Sequence, residues 1–243
     1  MAVSPAPIRW EQLDSQTAKI IMRAQTAPER QMRITACRKE PWTVQWVEAI
    51  DPPTSVLWDI GASTGPYSLL AGSRGISTVA FEPAYASYAA LVDNLLANPA
   101  AAQKIVPLCL ALADVTGLVA LGYRSLEAGA GSHVFGATQA PKIVASLPAM
   151  TMRGDDACRL LGLVPPTHLK LDVDGAESRV LAGLQGVLAS GRLRSVMLEL
   201  STGDPRRTEH LEAAGFKETA RFTERGGKPI GGGIMYARWE RAT

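Results

Sequence analysis

The chain is poor in the residues that would mark it as secreted, metal-bound or membrane-inserted. It has three cysteines, Cys37, Cys109 and Cys158, widely spaced, odd in number and without a C-x-x-C pair. That usage excludes a disulfide framework or a cysteine-built zinc site and fits free thiols in a reducing compartment. Neither sign of charge dominates: 25 Lys and Arg against 23 Asp and Glu leave a formal +2. With no dense basic patch interleaved with aromatics, nucleic acid is a poor partner. Met1 to Arg9 lacks an apolar signal core, and no apolar run approaches the length needed to cross a bilayer. The expectation is a cytoplasmic protein with no membrane partner, one domain with an appended segment, and length enough for a sizeable core.

What is there centres on Val56-Leu57-Trp58-Asp59-Ile60-Gly61-Ala62-Ser63-Thr64-Gly65, followed by Pro66-Tyr67-Ser68-Leu69-Leu70-Ala71. An apolar, β-rich run ends in an acid, then a glycine loop opens a helix, so that backbone N–H groups and a helix N-terminus face a ligand. A dinucleotide fingerprint has a second glycine that admits a pyrophosphate. Ser63 stands there instead, which suits a nucleoside ligand without a pyrophosphate, such as S-adenosylmethionine (SAM).

The rest of the chain repeats a beat of strand and helix. Residues 1–50 read as a helical appendage, with near-helical apolar spacing from Trp10 to Ile34 and a short helix from Trp42 to Ile50. Asp51-Pro52-Pro53 breaks the chain, and 51–243 form the main domain. Strands are expected at 55–60, 77–81, 105–110, 168–172 and 195–200, with helices at 65–73, 84–97, 155–161, 175–189 and 205–214. Residues 115–150 are Gly-rich, with a short hairpin joining Leu118–Gly122 to Ile143–Ala145. Two last strands, 217–222 and 233–239, have no helix between them and must be antiparallel. The pattern predicts an α/β, Rossmann-like fold of the class I methyltransferase type. It has a mostly parallel seven-stranded sheet, an antiparallel C-terminal hairpin and N-terminal helices.

In such sheets the ligand lies beyond the carboxyl ends of the strands, where this chain places acids. Asp59 and the loop Gly61, Ala62, Ser63 and Gly65 would hold the amino-acid end of SAM. Glu82-Pro83, 23 positions on from Asp59 to Glu82, stands where a carboxylate can accept from both ribose hydroxyls. Asp114 either accepts from the adenine amino group or starts a turn ahead of Gly117. Asp172 ends an apolar strand beside the expected methyl position and is read as a site residue. Asp174 is divided between that site and an N-cap paired with Glu177 in a capping box. Glu199 faces either the site or a partner such as Arg194. His133, in the glycine-flanked loop 129–136, has the pKa range of a general base for a hydroxyl, whereas His168 and His210 look structural.

On these residues the chain resembles the FkbM family of SAM-dependent methyltransferases. The matching pieces are Asp59-Ile60-Gly61-Ala62 with Gly65 and Tyr67-Ser68-Leu69, then Ala80-Phe81-Glu82-Pro83, Asn94-Leu95 to Asn98 and Ala111-Leu112-Ala113-Asp114. The block Lys170-Leu171-Asp172-Val173-Asp174-Gly175-Ala176-Glu177 and Met197-Leu198-Glu199-Leu200 complete the set. The resemblance implies SAM in a pocket formed from Asp59, Gly61, Glu82 and Asp114. It implies methyl transfer to a hydroxyl oxygen of a small molecule, a sugar or a natural product. Asp172, Asp174 and His133 are the candidate bases. Ser63-Thr64 departs from the loop pair often seen in the family, and residues 1–50 and 123–140, which would shape acceptor choice, match nothing in it.

No metal is expected. The alternatives are a Mg²⁺-assisted O-methyltransferase using Asp172, Asp174 and Glu199 as hard ligands, and a catalytically idle SAM-fold binding module. A nicotinamide oxidoreductase is opposed by the missing glycine and the terminal hairpin. An exposed apolar side on 42–50 would make a homodimer reasonable.

Overall fold

The computed structural model describes residues 7–136, 142–201, 208–225 and 228–242. Its main sheet has seven strands: β1 (Val56–Ile60), β2 (Ser77–Phe81), β3 (Ile105–Leu108), β4 (His168–Leu171), β5 (Ser195–Ser201), β6 (Phe216–Phe222) and β7 (Ile234–Arg241). They lie in the order β6-β7-β5-β4-β1-β2-β3. All neighbours run parallel except β7, which is antiparallel to both β5 and β6. The reversal at β4–β1 is the crevice where open α/β sheets bind ligands.

Alternation along β1 divides the core in two. Trp58 and Ile60 face a cluster with Phe81, Leu169, Leu171, Val180 and Trp239. Leu57 faces the other, built with the helix Pro66–Ser73 and the N-terminal segment. Parallel strands buried on both faces need such continuous apolar runs.

The N-terminal segment departs from the helical expectation. Trp10–Gln12 and Ile21–Arg23 are antiparallel strands, not helix. Leu13, Ile20 and Ala24 are buried as the spacing suggests, but the backbone reverses at Ser15, whose hydroxyl accepts the N–H groups of Thr17 and Ala18. The outer edge of this hairpin is satisfied by two asparagines of the helix Tyr85–Ala97 and its C-terminal end. Asn98 takes the N–H of Ile21 at 2.9 Å and donates to its carbonyl at 2.6 Å, while Asn94 takes the N–H of Arg23 at 2.6 Å. The helix Pro41–Glu48 forms as expected, with Trp42, Trp46 and Val47 buried. Its apolar side is therefore covered within the chain and gives no ground for a homodimer.

Beyond β3, Gly117–Tyr123 pairs antiparallel with Ala145–Met152 in a smaller four-stranded sheet, the expected hairpin with a longer second strand. The stretch expected as one helix from 175 to 189 is two, Glu177–Ala182 and Gln185–Ala189. The last helix is seen as Glu209–Ala213; its expected start lies outside the described residues. No helix among the described residues is long and apolar enough to cross a membrane.

Candidate functional site

A cavity of about 510 Å³ opens at the carboxyl ends of β1, β2 and β4. One side is made by consecutive pieces of the sheet: Gly61 and Ser63 after β1, Glu82 and Pro83 after β2, and Leu110 to Leu112 after β3. The loop after β1 folds against β2, with the N–H groups of Gly61 and Ala62 both donating to the Phe81 carbonyl at 3.0 Å. Gly61 has φ +82°, and a Cβ there would lie 1.8 Å from the Asp172 carbonyl oxygen. Only glycine allows β1 and β4 to close at this point.

Glu82 is 6% exposed. Its Oε2 accepts the N–H of Ser63 at 2.8 Å and its Oε1 the N–H of Ala84 at 2.7 Å, so both oxygens are aimed with a lone pair left for a ligand. Burial pushes this carboxyl up to about 7 against the two amides and Arg33. The Ser63 hydroxyl on the same wall is buried without a protein partner among the described residues.

The opposite side gathers distant pieces of chain: Arg33 and Lys39, the loop 130–133, Asp172 and Asp174, Glu199, and Tyr236. Asp172 follows β4, 3.4 Å from Lys170 Nζ. Burial would raise its carboxyl, but Lys170, Lys39 and Arg33 more than offset this and hold it low. Asp174 has φ +55° and accepts the N–H of Ser132 at 2.6 Å. Burial, with Asp172 nearby, pushes it up to about 6.

The capping box does not form. The helix begins after Ala176, and Glu177 Oε1 takes the N–H groups of Val173 and Gly175 instead. Asp174 is thus turned to the cavity, and Glu177 braces the turn that turns it. His133 lines the cavity against the Tyr123 ring at 4.8 Å, with its pKa lowered by burial and by Arg33.

Several expected site residues lie elsewhere. The Asp59 carboxylate is fully buried, accepts from the Ser68 hydroxyl at 2.6 Å and pairs with Lys170 at 3.5 Å. It braces the loop from behind, and it, Ala62 and Gly65 are absent from the cavity wall. Asp114 is held by Arg179, Nη2 at 2.8 Å and Nε at 2.9 Å, likewise off the wall. Glu199 does not meet Arg194; its Oε2 lies 2.8 Å from the Tyr236 hydroxyl oxygen. Among the described residues no three His, Cys, Asp or Glu side chains converge as a metal site.

Lys170, Tyr236, Glu40, Arg33 and Lys39 were not singled out by the sequence. A lysine between Leu169 and Leu171 in an apolar strand was a signal, since a buried cation requires acids beside it. It is 3% exposed, and β4–β1 register sets it opposite Asp59.

No protein-family model matches the chain. The chain is similar to the hexuronic acid methyltransferase AglP of Haloferax volcanii, 26% identical over 152 residues, or 62% of this chain and 58% of that one. It thus spans less than two-thirds of that relative's length. Among solved structures it is similar to methyltransferase FkbM from Methylobacillus flagellatus, at TM-score 0.51 and 15% identity, covering 77% of this chain and 44% of that one. It is also similar to precorrin-6y C5,15-methyltransferase from Geobacter metallireducens, at TM-score 0.50 and 16% identity, covering 87% and 91% of the two chains. At these identities the likeness is one of fold: the chain has the Rossmann-like class I methyltransferase fold.

Proposed function

We propose that this protein is a SAM-dependent O-methyltransferase of FkbM type, acting on a hydroxyl of a small molecule, and that a sugar is the acceptor to try first. The observation that carries the reading is the cofactor-sized wall of Gly61, Ser63 and Glu82. A backbone that tolerates no Cβ, an unpartnered buried hydroxyl and a doubly aimed carboxylate together fit a nucleoside with free ribose hydroxyls. Pro83 and Leu110 to Leu112 supply the apolar slot for its base. The similarity to a named hexuronic acid methyltransferase supports a sugar. Neither nucleic acid nor a membrane is required, and the free thiols fit a cytoplasmic setting.

SAM supplies a methyl group made electrophilic by its sulfonium, so the protein's share is alignment, exclusion of water and handling of one proton. Glu82 fixes the ribose and Ser63 stands beside it. Asp172, held ionised by Lys170, is the group we assign to accept the acceptor's hydroxyl proton. Asp174 and His133, close together on the same side of that opening, orient the acceptor. Residues 1–50 contribute Arg33 and Lys39 to that opening and so bear on acceptor choice.

Calorimetric titration of SAM and S-adenosylhomocysteine into wild type and Glu82→Ala tests this. Micromolar binding by wild type that weakens at least about tenfold in the variant is expected, the loss of a charge-assisted pair of hydrogen bonds. Absence of binding by wild type would reject the reading.

A further inference from the structure

The registry of β5 and β7 sets Glu199 opposite Tyr236, on the sheet face covered by the N-terminal segment. The phenol oxygen of Tyr236 is 2.8 Å from Glu199 Oε2 and 3.2 Å from Glu40 Oε1. A phenol has one proton to give. If both contacts are hydrogen bonds, one carboxyl must carry a proton and donate it to the phenol oxygen. Two ionised carboxylates would otherwise face one hydroxyl inside the protein, with one lone pair set against another.

The surroundings decide which carboxyl holds the proton. Glu40 is 2% exposed and has a cation, Lys39 Nζ, at 3.0 Å. Among the described residues Glu199 has no cation within 4.0 Å. Lys170 on β4, whose charge Glu199 feels, is already held between Asp59 and Asp172, and Asp172, Asp174 and Glu40 add negative charge. Burial and these acids push the Glu199 carboxyl up to about 9.

We propose that Glu199 donates its proton to Tyr236, which donates its own to Glu40, so that Glu199 meets the acceptor as a neutral carboxyl that positions a hydroxyl and does not deprotonate it. The inference rests on the methyl-transfer reading for its acceptor, but not for the state of the carboxyl. The chain runs in one direction, from Glu199 through Tyr236 to Glu40 and its partner Lys39. Lys39, Tyr236 and Glu199 all border the cavity. The free Glu199 oxygen accepts a hydrogen bond from the acceptor without adding a further anion to Asp172 and Asp174. Glu199 and Tyr236 are therefore positioning residues, and the proton of the methylated hydroxyl goes to Asp172.

The test follows the carboxyl directly, in protein labelled with ¹³C at glutamate side-chain carboxyls. The resonance missing from Glu199→Gln identifies Glu199, and it should titrate at about 9; titration near the ordinary 4.5 overturns the proposal. A carboxyl whose folded pKa lies above its unfolded value stabilises fully below the unfolded value and loses that contribution as pH rises through the folded one. The melting midpoint of wild type should therefore fall behind that of Glu199→Gln between pH 4.5 and about 9, whereas parallel curves count against it. Tyr236→Phe removes the group that receives the proton and should lower the titration point; a rise would mean that Tyr236 donates to Glu199. With D-glucuronate as probe acceptor, Glu199→Ala should raise KM about tenfold, roughly one hydrogen bond, and Glu199→Gln should restore it. Equal loss in both variants would make Glu199 a base. SAM binding by wild type separates the two readings: its absence rejects the methyltransferase, and the carboxyl titration still decides the wall.

Discussion

The two sides of the cavity are built in different ways. The cofactor side comes from one stretch, Gly61 to Leu112, in which each residue of interest follows its own strand. The acceptor side joins Arg33 and Lys39 to Asp172, Glu199 and Tyr236, pieces that no local pattern connects. A strand end needs only the sheet to place it. A wall assembled across the chain also needs docking contacts, and here these are Asn94 and Asn98, the Thr26 hydroxyl on the Ala128 carbonyl at 2.7 Å, and Arg33 Nε on the Gly129 carbonyl at 2.8 Å. The difference predicts that the cofactor side fails by steric or protonation changes at single positions, and the acceptor side by undocking.

The severest break is expected at Gly61→Ala. Its Cβ would meet the Asp172 backbone carbonyl at 1.8 Å, and the positive φ adds strain. Because the obstacle is backbone, relief requires β1 and β4 to part, and we expect at least about 3 kcal/mol of destabilisation. For a chain of this size that is a drop in Tm of about 10 °C. A variant melting within two degrees or so of wild type would show that the loop shifts freely.

The asparagines sharpen the comparison because one touches both sides. Asn94 is fully buried, takes the Arg23 N–H and donates to the Thr64 carbonyl at 2.8 Å. Asn98 serves only Ile21 of the hairpin, besides the Asn94 carbonyl of its own helix. Asn94→Ala should cost about 2 kcal/mol and weaken cofactor binding, since it leaves buried groups unpaired on both sides. Asn98→Ala should cost about 1 kcal/mol and raise amide exchange at residues 21–23, with cofactor affinity unchanged. Loss of cofactor binding in Asn98→Ala would mean that the two sides are one cooperative unit.

Protonation offers a milder probe confined to the cofactor side. Burial holds the Glu82 carboxyl at about 7, above its ordinary 4.5. The ribose hydroxyls need the charged form as acceptor, so affinity should be full above pH 7 and weaken below it. The fall is at most about tenfold per pH unit, 1.4 kcal/mol, until the cofactor-bound form itself titrates. Glu82→Gln should bind more weakly and lose this slope; an unchanged slope would place the titrating group elsewhere.

What the sequence made legible follows the same division. Strand, glycine loop and strand-end acids are local, and the terminal hairpin needs only the absence of a helix between two strands. Glu82 and Asp172 could therefore be placed in advance. The strands at 10–12 and 21–23 could not, because buried Leu13, Ile20 and Ala24 fit a helical spacing equally well. The hydrogen bonds that choose the hairpin come from Asn94 and Asn98, about seventy positions away. Asp174 and Glu177 have the spacing of a capping box, yet the helix starts one residue after Ala176, and that phase is set by the left-handed turn at Asp174. The Glu199–Tyr236 pair depends on an antiparallel register between strands 37 positions apart in partner numbering.

The smallest expected effect concerns Asp114, where the local pattern and the fold disagree. Its place after β3 suggested an adenine contact, but Arg179 holds the carboxylate away from the cavity wall, with both side chains more than a third exposed at 37% and 39%. Solvent screens such a pair, so breaking it should cost less than about 1 kcal/mol. Asp114→Asn should then leave SAM affinity within about twofold of wild type, and Arg179→Ala should do the same. Arg179 also lies over the Phe135 ring at 4.6 Å, so its loss should loosen the strand at 134–135 before it affects the cofactor. A tenfold weakening in Asp114→Asn alone would indicate that the carboxylate leaves Arg179 for the adenine amino group when the cofactor binds. That result would extend the cofactor side into a contact made by induced fit, and the Arg179 variant, with Asp114 released in advance, would then bind more tightly than wild type.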